Sequence, residues 1–110
     1  MDKLIIIKTT VKNQITKNNI INELFKNDYV ACINVIENVS SHFKWKGNIE
    51  KEKEYILFIK TIKRNEDLVY ESIRIIHDYE IPEIITLSVI NAENNYLNWV
   101  NESVINKQYD

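Results

Sequence analysis

The sequence holds one glycine, one proline and one cysteine in 110 residues. Average domains carry roughly 7% glycine and 5% proline. With Gly47 alone, no glycine-rich phosphate cradle can be written, neither G-x-G-x-x-G nor G-x-x-x-x-G-K-[ST]. The G-x-S-x-G turn of a serine hydrolase fails for the same reason. Cys32 alone excludes an internal disulfide and an all-cysteine zinc site within one chain. Basic excess is also missing: 14 Lys and Arg stand against 16 Asp and Glu, a net charge of −2. That balance speaks against nucleic acid or an anionic membrane as partner. The longest apolar runs, Tyr29–Ile33 and Tyr55–Ile59, have five residues, and Leu4–Ile7 has four; all are too short for a transmembrane helix or a signal-peptide core. A reduced, cytoplasmic protein is therefore expected.

What is present suits a single domain over residues 1–110. Apolar residues make up 45% and charged residues 27%, a globular balance. Leu4–Ile7 reads as a buried strand. Asn13 or Thr16 can cap a helix in which Ile20, Ile21, Leu24 and Phe25 share a face, and Asn27-Asp28 can end it. Val30–Val35 and Val39–Trp45 are rich in strand formers, and Tyr55–Ile59 is the strongest strand signal. Glu50, Glu52 and Glu54, alternating with Lys51 and Lys53, read as a solvated turn, with a weak surface site for a hard metal as the alternative. Asn65-Glu66-Asp67 predicts a helix start with Asn65 as cap and acids in the first turn. Leu68, Val69, Ser72, Ile73, Ile75 and Ile76 would form its inner stripe. Pro82 then blocks further helix, and Ile84–Val89 reads as a strand. A last helix carries Tyr96, Leu97, Val100 and Val104 on one side.

The order is strand, helix, strand, strand, helix, strand, helix. This predicts an α+β, ferredoxin-like βαββαβ sandwich with an extra C-terminal helix. Two helices can cover only one face of its sheet. Tyr55–Ile62 is apolar at consecutive positions, which predicts burial of both faces. The last helix, or other subunits, must cover the second face, so an oligomer is expected. A charge placed at Phe58 or Ile85 is expected to abolish folding or assembly.

The blocks Trp45-Lys46-Gly47-Asn48-Ile49-Glu50 and His77-Asp78-Tyr79-Glu80-Ile81-Pro82-Glu83-Ile84-Ile85 stand beside Ala31–Ile36, Ile59-Lys60-Thr61 and Tyr96–Val100. Together they resemble the CutA family, the divalent-cation tolerance proteins, from about Ile5 to Val104. The resemblance implies a homotrimer whose neighbouring strands pair at the interfaces. It implies a role in tolerance of copper or another divalent cation and no enzymatic activity. The architecture is also similar to that of nitrogen-regulatory signalling trimers, which makes a small-molecule-sensing or scaffold trimer the alternative.

Metal ligands carry over poorly. Some family members have a cysteine at the end of the first strand and a histidine pair before the tyrosine of H-x-Y. Here those positions hold Thr9 and Ile76, so only His77 remains. Copper(II) accepts imidazole and copper(I) thiolate; the imidazoles are His42 and His77, of which the resemblance implies only His77 as a ligand, and Cys32 is the one thiol candidate. The alternatives are a His77 that caps or packs and a Cys32 that acts as a small hydrophobe. Trp45, Lys60, Tyr79, Glu83 and Trp99 supply aromatic walls, a cation and a carboxylate for an inter-subunit cleft. Their competing reading is interface anchors with a Lys60–Glu83 ion pair. No Ser–His–acid arrangement is signalled, and His77-Asp78 is only a neighbouring pair.

Overall fold

The computed structural model describes residues 1–105, so residues 106–110 of the predicted domain lie outside the described residues. In chain order come strand β1 (Leu4–Val11), helix α1 (Gln14–Lys26), strands β2 (Cys32–Trp45) and β3 (Asn48–Ile62), helix α2 (Glu66–Ile76), strand β4 (Ile84–Ser88) and helix α3 (Asn94–Ser103). The sheet order is β2-β3-β1-β4 and every pair is antiparallel. This is the expected ferredoxin-like topology with its added helix.

One face of the sheet packs under α1 and α2. Ile5, Ile7, Val11, Leu57 and Ile59 meet Ile20 and Leu24 of α1 and Val69 and Ile73 of α2, all essentially buried. Alternation along a strand sends Ile6, Ile56 and Phe58 to the opposite face, with Ile36, Ile85 and Leu87 beside them. There α3 covers only one end, where Val100 and Val104 pack on Leu4 and Ile62. The rest of that face is open: Ile36, Ile85 and Leu87 are 47%, 43% and 38% exposed. Within one chain, then, only one face of the sheet is buried. In α2 the inner stripe is also narrower than expected, because Leu68 and Ile75 face outward.

Local chemistry fixes the element ends. Asn13 caps α1, its side-chain oxygen accepting from the amides of Ile15 at 2.7 Å and Thr16 at 3.2 Å. Asn13→Ala should lower stability by about 1 kcal/mol, read as a fall in the thermal midpoint. Asn65 is a correction. It precedes α2, but its side chain makes no capping bond. It is buried and donates instead to the Tyr29 carbonyl at 3.0 Å, where Thr61 also donates at 2.5 Å. A buried carbonyl without partners would cost more than an uncapped helix start exposed to water.

Glu66, in the first turn of α2, ties that helix to β4. It accepts from the Thr86 hydroxyl at 2.6 Å and pairs with Lys63 at 2.5 Å. Thr86 has spent its proton on Glu66, so the Tyr70 hydroxyl, 2.8 Å away, donates to Thr86. The hydrogen bonds from Lys63 and Thr86 hold the Glu66 carboxyl below its ordinary 4.5. A lowered carboxyl stabilises the fold while ionised, and that contribution is lost as pH falls through the lowered value. The gap in thermal midpoint between wild type and Glu66→Gln should therefore be full at neutral pH and close in acid. A gap independent of pH would show that the charge is irrelevant.

The β2–β3 hairpin is longer than the sequence signals. It continues through Glu50, Glu52 and Glu54, which are paired strand and not a solvated turn. The turn is Lys46-Gly47, with φ of 51° and 84°. Positive φ at both central residues is the two-residue geometry that matches strand twist. No atom crowds a Cβ at Gly47, so its backbone angle alone favours glycine. Because β1 pairs with β3 only as far as Tyr55, the outer half of the hairpin projects beyond the sheet.

Between Ile36 and Val39 the β2–β3 register shifts, with Asn38 in the left-handed region at φ 60°. Asparagine tolerates that conformation better than most residues. The extra residue reverses the parity of β2. Before it, Asn34 and Ile36 oppose Phe58 and Ile56; after it, Val39, Ser41 and Phe43 oppose Glu54, Glu52 and Glu50. Phe43 and Trp45 are thereby delivered to the face left open by the helices.

Candidate functional site: an acidic, aromatic cleft

A cleft of about 940 Å³ lies where the projecting hairpin meets the segment between α2 and β4. Phe43, Trp45 and Tyr79 give it aromatic walls, and Glu50, Glu52 and Glu54 form a row along β3. Five carboxylates and two lysines line it in all.

His77 positions the Tyr79 wall. It ends α2, and its ring is fully buried. Nδ1 accepts from the Tyr79 backbone N–H at 3.2 Å, so Nε2 carries the proton and donates to the Thr10 carbonyl at 2.8 Å. The ring also packs against Tyr79, centroid to centroid 4.5 Å. Both nitrogens are engaged, so in this conformation His77 offers no free lone pair to a metal. It anchors the segment to the end of β1.

Tyr79 in turn fixes Glu54, donating to its carboxylate at 2.6 Å. Burial, then the hydrogen bond to Glu54 and its charge, raise the Tyr79 hydroxyl above its ordinary 10.0. The hydroxyl is therefore a neutral donor across the physiological range. Glu54 itself is only 6% exposed, and no cation lies in ion-pair range of it among the described residues. Lys12 Nζ stands 3.7 Å from the Glu52 carboxylate and 5.9 Å from the centre of the Tyr79 ring.

The five residues expected to share one cleft are divided by the fold. Trp45, Tyr79 and Glu83 do line it. Lys60 and Trp99 do not: Lys60 Nζ sits 5.7 Å over the Tyr96 ring, and Tyr96 packs on Trp99 at 5.6 Å, near α3. The expected Lys60–Glu83 pair is not formed within the subunit. Glu83 pairs with Lys8 at 2.9 Å. Lys8 was the overlooked partner, and its signal was a lone cation inside the apolar strand β1. Cys32 lies on the edge strand β2, half-buried, with Sγ 4.0 Å from Asn34 Oδ1. Among the described residues no three His, Cys, Asp or Glu side chains gather closely enough to hold a metal ion. No helix among them is long and apolar enough to cross a membrane.

Comparison with known proteins extends over nearly the whole chain. The sequence model of the CutA1 divalent ion tolerance protein matches residues 5–103. The divalent-cation tolerance protein CutA of Thermotoga maritima is 36% identical over 102 residues, covering 93% of this chain and 100% of that protein. The chloroplastic protein CutA of Arabidopsis thaliana is 28% identical over 93% of this chain, which spans 56% of that longer relative. Among solved structures, the divalent ion tolerance protein CutA1 of Ehrlichia chaffeensis superposes with a TM-score of 0.88. It is 29% identical, with 94% of this chain and 96% of that one covered.

Proposed function

The chain belongs to the CutA1 divalent ion tolerance family, and on that premise we propose that it serves divalent-cation tolerance as a cytoplasmic, non-enzymatic homotrimer that binds the cation. The observation that carries the assembly is the open face of the sheet. Ile6, Ile56 and Phe58 are only partly covered there, and Ile36, Ile85 and Leu87 are exposed beside them. A largely apolar surface of that kind, interrupted by Lys8 between Phe58 and Ile85 and by Lys60 beside Ile6, is what subunits bury against one another. The cleft opens on the same side, so a neighbouring subunit would border it.

The cation, copper(II) in the first instance, is then held between subunits. One subunit gathers no three suitable ligands, and a three-fold axis multiplies any single donor. Calorimetric titration should give saturable copper(II) uptake at a ratio below one ion per chain. No uptake at micromolar metal would dispose of this reading. Native mass spectrometry at low protein concentration should find three chains together, and a folded 13.1 kDa species alone would dispose of the trimer.

A second reading is favoured by the aromatic walls of the cleft. Phe43, Trp45 and Tyr79 are more than a metal site needs, and they suit a small organic ligand. In that case the trimer senses or holds a metabolite, and thermal shifts should appear with metabolites and not with metals.

A further inference from the structure

We infer that the cleft between the hairpin and the Tyr79 segment takes a linear aliphatic polyamine, an extended chain carrying several ammonium groups. The inference rests on the second reading above and names the chemical class of its ligand.

Three independent features point to an organic cation. The first is Glu54. It is a nearly buried carboxylate with the Tyr79 hydroxyl as partner and no cation in ion-pair range among the described residues. Burying an ionised carboxylate without a counter-charge is costly, and a cation arriving in the cleft would offset that cost. The second is Lys12. The protein's own alkylammonium lies between the Glu52 carboxylate and the Tyr79 ring, the arrangement in which a charged amine is attracted to both. It is half-exposed and its ion pair is long, so an incoming ammonium can displace it. The third is spacing. Glu50, Glu52 and Glu54 alternate along β3, so on this face they rise from Cα atoms about 7 Å apart.

That spacing decides between a metal and an amine. The row is spread along the strand and is not gathered at one point, and among the described residues no three-ligand cluster forms to hold a small ion. The carboxylates do match ammonium groups separated by a few methylenes. Phe43, directly across from Glu50, and Trp45 beyond it give those methylenes an apolar wall.

The test is titration of the full chain with spermidine, followed by calorimetry and by tryptophan emission. The emission is read in a Trp99→Phe protein, where Trp45 is the one remaining tryptophan. Saturable binding that moves Trp45 emission is expected. Glu54→Gln, which keeps an acceptor for Tyr79, and Glu50→Gln should each weaken it by about tenfold. Lys12→Gln, which removes the internal rival, should tighten it. Magnesium at equal charge concentration should not displace spermidine.

Absence of saturable binding in both wild type and Lys12→Gln would overturn the inference. So would indifference to Glu50→Gln, or displacement by magnesium, which would reveal only a diffuse negative field. Should Glu54→Gln fail to fold, the Glu50→Gln and Lys12→Gln results decide. If an uncharged or anionic metabolite moves Trp45 and spermidine does not, the polyamine falls and the organic-ligand reading stands. If neither class of probe moves Trp45, both fall.

Discussion

Phe58→Asp protein is expected to stay folded and to lose its assembly, whereas Leu57→Asp protein is expected not to fold. The two residues are neighbours on β3 and differ only in the face they serve. Leu57 is fully buried beneath the helices, among Ile7, Ile59 and Ile20. A carboxylate there has no partner and no water, a cost of about 3–5 kcal/mol or more. Total stability for a domain of this size is only about 5–15 kcal/mol, and the lost packing adds to the deficit. Phe58 lies on the open face, where a lone subunit leaves its side chain partly in water. An aspartate can be hydrated there in the monomer and becomes intolerable only when a second subunit covers it. Native mass spectrometry and far-ultraviolet circular dichroism separate the outcomes. Trimeric Phe58→Asp would mean that the interface lies elsewhere. A cooperative melt of Leu57→Asp at the wild-type midpoint would mean that the helix-covered face is not the core. The expectation drawn from sequence, loss of folding or assembly at Phe58 or Ile85, thus narrows to assembly.

His77→Ala should lose roughly 2–3 kcal/mol of stability, which for a chain of this length is a fall of about 10 °C or more in thermal midpoint. The ring's two hydrogen bonds would go together, stranding the Thr10 carbonyl and the Tyr79 amide, and a void would remain where the fully buried imidazole sat. The Tyr79 wall would loosen with it, and with that wall the hydrogen bond that orients Glu54. The variant also separates two roles for this residue. If His77 is a copper ligand, uptake falls even when measured well below the melting range. If it acts as an anchor, stability falls while uptake per folded chain is kept. His77→Gln, able to donate and accept, should recover part of the stability in the anchoring case.

Much of the fold was legible because it is written in apolar periodicity. Ile20 and Leu24 at four-residue spacing mark the buried side of α1, and Leu4–Ile7 and Tyr55–Ile59 mark the central strands. Where structure is set by backbone pairing between solvated residues, that signal vanishes. The β3 arm of the outer hairpin alternates Glu and Lys, charged on both sides, so nothing in its pattern distinguishes a strand from a loop. The sequence pattern places Glu54 in a solvated turn for this reason, although the Tyr79 segment folds over it. Long-range polar pairs were equally illegible. Lys8 with Glu83, and Asn65 with the Tyr29 carbonyl, depend on which elements end up adjacent and not on local spacing. The candidate cleft was therefore half visible: its aromatic members stood in recognisable blocks, while its buried acid and its resident lysine did not.

The register shift at Glu37-Asn38 absorbs one residue of β2 and bends the strand where the outer hairpin begins. Delete Asn38 and the ladder closes with its pairs intact: Ile36 against Ile56, Val39 against Glu54 and Phe43 against Glu50. What is lost is the extra local twist, so the tip would swing relative to the Tyr79 segment while keeping the same residues face to face. A single-codon deletion far from the core can in this way re-aim the tip without changing its composition or what holds the domain together.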